Sequence, residues 1–280
     1  MLVELAVGDA YGAGFEYAEP AFVAEHNTLA GYVQHPTHLG IRPGAYTDDT
    51  QMTLAVAELL VSGKPWDRAH LAEYFVRAYR RDPRDGYAGR FQQFLDTVHT
   101  GADFLARIEP ASDKSGAAMR AGPIGLLPTV EDVLHYAREQ ARVTHDTPDG
   151  IAAAQAAALA VHYCHHGIGP VAELPGWIGS RLGTSWARPW RGKVGSKGWM
   201  SVRAALTTLS TSTSLREALR GAVAWTGDVD TVATIALAAG SRTPEIAHDL
   251  PEILTDELEN GEFGRDYLRD LNSRLLAAYS

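Results

Sequence analysis

Two short segments of the chain place a threonine beside two carboxylates, and each is followed at once by a long apolar run. The six residues are Thr47, Asp48, Asp49, Asp228, Asp230 and Thr231. Either segment alone is typical of a helix N-terminus, where such side chains bind free amides and meet the positive end of the dipole. A helix needs only one cap, however, and neighbouring carboxylates repel one another unless a cation or a proton lies between them. The repeated pattern therefore favours a cation site.

The donor atoms of this pattern indicate which cation it would bind. Oxygen ligands alone are typical of Mg²⁺, Mn²⁺ or Ca²⁺ rather than of zinc. Four carboxylates and two hydroxyls suit two ions, which in dinuclear sites lie about 3.5–4 Å apart. Distant helix starts can meet in a helical domain, so the separation along the chain is no obstacle. We expect a dinuclear site for a hard divalent cation, which the donor atoms leave open as Mg²⁺, Mn²⁺ or Ca²⁺.

The histidines offer a rival metal site that the spacing does not favour. Segment 162–166 holds three histidines and the single cysteine, Cys164. No second group with zinc-ligand spacing accompanies it, and imidazoles at a helix end also suit the helix dipole. His35 and His38, in a loop rich in Gly and Pro, are interpreted in the same way. One cysteine excludes a disulfide framework and favours a reducing compartment.

A further segment combines small residues with a helix start. Ser115, Gly116 and Ala117 precede Met119, and such a run lets the backbone approach a phosphate and offers free amide donors. It is not a P-loop, because the Gly-Lys-Ser/Thr ending is missing.

The elements that must position these residues are predicted to be helices. Apolar residues recur at helical spacing in segments 51–60, 68–79, 150–164, 231–239 and 267–275. No alternating strand pattern of useful length appears, and no composition shift marks a linker. We expect an all-α helical bundle, with one domain over residues 1–280.

Composition narrows the class of protein. The chain has 280 residues, 45% hydrophobic and 21% charged, with a formal net charge of -9. This is a globular balance, and the acidity disfavours general binding to nucleic acid or an anionic membrane. No apolar run approaches the length of a membrane helix, and residues 1–11 lack the basic start of a secretory signal. We expect a cytoplasmic protein.

The motifs together resemble the ADP-ribosylglycohydrolase family. The landmarks are GDAYGAGFE at 8–16, YTDDTQM at 46–52, SGAAMRAGPIGLL at 115–127, VTHDTPDGIAAAQA at 143–156 and GDVDTVATIA at 227–236. They follow the family's order and extend over about residues 2–240. The resemblance implies a compact all-helical fold with two Mg²⁺ ions in a central cleft, bound by the two Thr-Asp segments.

The resemblance also implies roles for residues outside those segments. Glu16 occupies the place of a glutamate that is catalytic in some members, and His145 would lie near the ligand. Ser115, Gly116 and Ala117 would cradle a diphosphate, although Lys114-Ser115 stands where members often have Gly-Asn. Asp48, Asp49 and Glu16 are then the candidate catalytic acids and bases.

The expected reaction is hydrolysis of the glycosidic bond between ADP-ribose and an acceptor, with mono-ADP-ribosyl-arginine as the first choice of substrate. ADP-ribose would be the product, and the partner an ADP-ribosylated protein or another modified acceptor. Two alternatives stay open: a dinuclear phosphohydrolase acting on nucleotide diphosphates, and a catalytically silent ADP-ribose-binding protein.

Segment 177–200 is rich in tryptophan and in cations and has no acidic residue. The simpler interpretation is a connector pinned down by its aromatic rings. The alternative is a cationic, aromatic rim for an ADP-ribosylated protein or nucleic-acid acceptor.

Overall fold

The computed structural model describes residues 1–279, in which the chain forms fifteen α-helices and no β-sheet. The helices are α1 (Leu2–Ala13), α2 (Pro20–His26), α3 (Asp48–Val61), α4 (Arg68–Arg81), α5 (Gly89–Thr97), α6 (Gly101–Arg107), α7 (Gly116–Met119), α8 (Val130–Arg142), α9 (Pro148–His165), α10 (Leu174–Leu182), α11 (Gly198–Thr211), α12 (Leu215–Ala224), α13 (Val229–Gly240), α14 (Glu252–Asp256) and α15 (Arg265–Tyr279). The all-α prediction is confirmed. The predicted domain boundary at Ser280 lies outside the described residues.

The predicted helical runs are all present. Two of the helices begin earlier than the apolar pattern indicates, because polar residues form their first turns. The run 150–164 becomes α9, which begins at Pro148 because Thr147 accepts a hydrogen bond from the Gly150 amide at 3.0 Å. The run 51–60 becomes α3, which begins earlier, at Asp48. Both acidic segments therefore lie at helix starts, as their composition indicates.

Helix α13 lies at the centre of the fold, and every one of its residues is buried. It packs against α1, α9, α11 and α12. Alanine-rich α9 suits this position, since small side chains let neighbouring helices pack closely. The buried apolar side chains form one continuous cluster around this centre.

Helices α1 and α13 approach each other almost backbone to backbone. A Cβ atom at Gly8 would lie 2.8 Å from the Ala233 carbonyl oxygen, and one at Gly12 would lie 2.4 Å from Cα of Asp230. Any side chain at these two positions would push the helices apart. The glycines of the first motif thus bring Asp9, within α1, and Glu16, just beyond its end, close to the start of α13. A bilayer crossing needs a longer and more apolar helix than any in residues 1–279.

Candidate metal centre and active-site cleft

The start of α3 is capped by a residue from another helix. Asp9 of α1 accepts hydrogen bonds from the amides of Thr47 and Thr50, at 3.0 and 2.9 Å, and from both hydroxyls, at 2.7 and 2.6 Å. The Thr47 side chain makes no capping bond of its own. Because Asp9 satisfies the helix start, the carboxylates of Asp48 and Asp49 are not used as caps.

Asp49 shows the consequence of this arrangement. It is buried, and its Oδ1 atom has no hydrogen-bond partner among residues 1–279. A buried carboxylate oxygen without a donor is costly, and a bound cation removes that cost. The Thr47 hydroxyl donates its proton to Asp9, so its oxygen keeps lone pairs that a cation could use.

The second acidic segment is held by the connector that precedes α11. The Asp228 amide donates to the Val194 carbonyl at 3.2 Å, and the Val194 amide donates to the Thr226 carbonyl at 3.0 Å. Gly227 between them has φ +92°, and a Cβ there would lie 1.8 Å from the Val194 oxygen. Only glycine fits this turn. Ser201 then donates to Asp228 Oδ2 at 2.6 Å, which fixes the carboxylate.

The two acidic segments and Glu16 meet at one place. Oxygen atoms of Glu16, Asp228 and Asp230 lie within 4.8 Å of one another and could hold a metal ion. Asp49, at the start of α3, lies close enough to Asp228 and Thr231, at the start of α13, for both to influence its pKa. The Thr231 amide also donates to Asp230 Oδ1 at 2.9 Å. The starts of α3 and α13 therefore converge with Glu16.

The electrostatics of this cluster call for positive charge. Burial, with neighbouring carboxylates, raises the pKa of Asp48, Asp49 and Asp230 well above the ordinary range. Burial, then Asp228 and Asp9, raises the pKa of Glu16 to about 8. So many carboxylates together need either protons or cations. The oxygen-only donor set and the unpartnered Asp49 oxygen fit a hard divalent cation.

The cluster opens into a cleft of about 920 Å³. Nine of the eleven predicted site residues line it: Glu16, Asp48, Asp49, Ser115, Gly116, His145, Asp228, Asp230 and Thr231. Thr47 and Ala117 are buried behind the wall: Thr47 bonds Asp9, and the Ala117 carbonyl accepts from the Gln140 side chain at 2.8 Å. Ser115 was predicted to contact phosphate, and its side chain also lies close enough to Asp228 to oppose the rise in pKa that burial causes in that carboxyl.

Other cleft residues were missed by sequence reasoning. Arg90 and Arg107 add positive charge to the cleft beside Lys114, and Phe91 and Phe94 add aromatic surface. They lie in segments where no spacing distinguishes them from ordinary helix or loop residues. Asp9 was part of the first motif, but the cap that it supplies to α3 lies 38 residues away along the chain.

The histidines have structural partners. The Nδ1 atom of His162 and the Nε2 atom of His166 both lie within hydrogen-bond distance of the Leu127 carbonyl, at 3.0 and 3.1 Å. His35 accepts from the His38 amide at Nδ1, at 2.9 Å, and so donates from Nε2 to the Glu16 carbonyl at 2.7 Å. Both groups are explained by backbone contacts, and His35 fixes the turn that carries Glu16.

Segment 177–200 packs its aromatic rings against the protein. Trp177 contacts the Tyr163 ring edge to face at 5.1 Å, and Trp190 contacts Trp199 at 5.8 Å. Trp186 is buried. These contacts favour the connector interpretation, with the added role of fixing Asp228 through Val194.

Comparison with known proteins places this geometry in a family. Residues 1–280 match the ADP-ribosylglycohydrolase family. Mouse ADP-ribosylhydrolase ARH3 is 31% identical over 182 residues, covering 58% of this chain and 47% of the relative. ADP-ribosyl-[dinitrogen reductase] glycohydrolase of Rhodospirillum rubrum is 30% identical over 167 residues, covering 59% and 56%. ADP-ribosylarginine hydrolase Tri1 of Serratia proteamaculans is 27% identical over 176 residues, covering 59% and 46%.

The aligned regions thus span about half the length of these curated relatives. A solved structure titled ADP-ribosylglycohydrolase-related protein complex superposes with a TM-score of 0.77 at 24% identity, covering 100% of this chain and 96% of that one. This likeness shows a shared fold. With the match along residues 1–280, the chain belongs to the ADP-ribosylglycohydrolase family.

Proposed function

We propose that the chain hydrolyses the glycosidic bond between ADP-ribose and an acceptor, with Mg²⁺ bound at the acidic cluster. The observation that carries this proposal is the convergence of Asp49, Asp228 and Asp230 with Glu16 at one end of a cleft. The same cleft holds cationic side chains that suit a diphosphate. Family membership supplies the substrate class.

The ions would be held by the six oxygen-bearing residues of the two Thr-Asp segments, and when bound they would supply Lewis-acid polarisation and activation of water. The protein's own carboxylates move the protons. Glu16 lines the cleft beside the acidic cluster and is the candidate acid for protonation of the departing acceptor. Asp48 and Asp49 are the candidates for the general base.

The rest of the cleft positions the ligand. Gly116 begins α7 beside the acidic cluster, and Lys114 and Arg107 supply cations for the diphosphate. These charges offset the repulsion between an anionic ligand and a protein of formal net charge -9. An acidic centre for the ribose and a cationic wall for the phosphates fit an ADP-ribosyl group.

We propose mono-ADP-ribosylated arginine as the acceptor. One relative supports this choice by name, the ADP-ribosylarginine hydrolase of Serratia proteamaculans. The protein would act on a modified protein in the cytoplasm and release free ADP-ribose.

The test is release of ADP-ribose from mono-ADP-ribosylated arginine, with Mg²⁺ and with EDTA. Wild type should be active only with metal, and Asp48→Asn should lose activity. Asp270→Asn is the matched control, because this exposed aspartate lies on α15 outside the cleft. If the protein released ADP-ribose only from a serine, nucleic-acid or ester linkage, that acceptor would replace arginine in the proposal.

Two other results would overturn the proposal itself. AMP or phosphate as the product would indicate a phosphohydrolase instead. Tight binding of ADP-ribose without turnover on any acceptor would indicate a silent binding protein.

A further inference from the structure

A buried network behind the Gly-Ala-Ala run ends on the ring of His145. The Arg120 guanidinium is fully buried and donates from Nε to Gln140 Oε1 at 2.7 Å and from Nη2 to the Thr144 hydroxyl at 2.8 Å. Gln140 Nε2 donates to the Ala117 carbonyl at 2.8 Å, which fixes the orientation of its amide. The Thr144 hydroxyl oxygen lies 2.7 Å from His145 Nδ1.

The donors in this network determine where the His145 proton lies. A guanidinium has no acceptor, so the Thr144 oxygen must accept from Arg120. The hydroxyl then has one proton left to donate, and among residues 1–279 its remaining partner is Nδ1 of His145. If Nδ1 carried the proton instead, the Thr144 oxygen would accept from both Arg120 and His145, and its own buried proton would have no acceptor among residues 1–279. The ring nitrogen Nδ1 is therefore the acceptor, and the proton of the neutral ring is on Nε2.

The other ring nitrogen of His145, Nε2, lies beside Gly116 at the lining of the cleft. His145 lines the cleft, and Nε2 has no hydrogen-bond partner among residues 1–279. A Cβ atom at Gly116 would lie 3.0 Å from Cε1 and 3.3 Å from Nε2 of this ring. The absence of a side chain at Gly116 leaves this edge of the imidazole open beside the start of α7.

We propose that Thr144 is a positioning residue that holds His145 as the neutral Nε2–H tautomer, so that the ring donates a hydrogen bond to an anionic oxygen of the ligand. The identity of that ligand, ADP-ribose, rests on the proposed function. Burial, and then the charge of Arg120, lowers the pKa of His145 to about 3, in agreement with a neutral ring. His145 is then a fixed donor and leaves acid–base catalysis to the carboxylates.

The first readout is the tautomer itself. In ¹⁵N-histidine-labelled protein, the His145 signals are assigned by their loss in His145→Asn. Wild type and Thr144→Ser should show Nδ1 unprotonated and Nε2 protonated across about pH 5–8, where an unperturbed histidine titrates. A protonated Nδ1 in wild type would overturn the inference.

The second readout is the Kd for ADP-ribose measured by calorimetry. Thr144→Val keeps the shape but removes the hydroxyl, so the ring loses its partner and Kd should rise roughly tenfold. Thr144→Ser should stay near wild type. Thr208→Val is the matched control, since Thr208 is also buried and accepts a bond from Trp225 at 2.8 Å outside the cleft. An unchanged Kd in Thr144→Val would overturn the inference.

The two readouts separate this inference from the proposed function. A wild type that binds no ADP-ribose, but shows the Nε2–H tautomer, would remove the proposed ligand while supporting the role of Thr144. Hydrolytic activity combined with a protonated Nδ1 would keep the function and remove the role of Thr144.

Discussion

The carboxylate of Asp9 accepts hydrogen bonds from both the amide and the hydroxyl of Thr47, at 3.0 and 2.7 Å. A residue of α1 thereby does the capping that α3 would otherwise need from its own first turn. The carboxylates of Asp48 and Asp49, at the start of α3, are therefore not needed as caps and remain available to a cation. Asp9 thus supports the candidate metal centre and is not one of its proposed ligands.

Replacing Asp9 by Asn should weaken both the fold and the metal centre. Asparagine offers one acceptor oxygen and places an NH₂ group among four donors, so the free energy of unfolding should fall by about 1–3 kcal/mol. Mg²⁺ affinity, measured by calorimetry, should fall with it. The control is Asp67→Asn, because Asp67 caps α4 through the His70 amide at 2.9 Å. If Asp9→Asn bound Mg²⁺ as wild type does, the supporting role would be wrong.

The contact between Gly12 and Asp230 should make Gly12→Ala destabilising. The added methyl group would lie 2.4 Å from Cα of Asp230, and overpacking of this kind typically costs about 1–3 kcal/mol. Gly176→Ala is the matched control, because it lies in α10 with no heavy atom within 4 Å of the built Cβ. The urea midpoint should fall for Gly12→Ala and stay at the wild-type value for Gly176→Ala. Equal midpoints for the two variants would contradict the close approach of α1 and α13.

Removing one carboxylate from the cluster should have opposite effects on the metal-free and metal-bound protein. Burial, then Glu16 and Asp49, raises the pKa of Asp230, so its ionised form is unfavourable without a cation. Asp230→Asn should therefore raise Tm in EDTA. Its Mg²⁺ affinity should fall roughly tenfold or more, and the rise in Tm on adding Mg²⁺ should shrink. A Tm in EDTA below that of wild type would show that Asp230 stabilises the fold by itself.

The stability of the metal-free protein should depend on pH through Glu16. Its pKa rises from 4.5 to about 8 on folding, so between these values the folded state binds a proton that the unfolded state releases. The free energy of unfolding should therefore fall as pH is raised through this window. The urea midpoint in EDTA, followed against pH, should show a shallower slope in Glu16→Gln. Glu252→Gln, on the exposed face of α14, should keep the wild-type slope.

The class of the fold and the donor atoms of the candidate centre are both readable from the sequence. Carboxylates and hydroxyls in Thr-Asp-Asp and Asp-x-Asp-Thr order select a hard cation, and this follows from the donor atoms alone. Helical periodicity located α3, α9 and α13, because residues three and four apart share one helix face whatever the rest of the chain does. Both signals are local, so they are readable before folding.

The neighbours that complete the site depend on how the helices pack in three dimensions. Asp9 caps α3 across 38 residues, Val194 holds Asp228 across the connector, and Arg120 sets the Thr144 hydroxyl that orients His145. These contacts depend on helices meeting at particular points, such as Gly12 against Asp230. No short-range spacing encodes them, because each partner belongs to an element whose position is fixed by packing of the whole core.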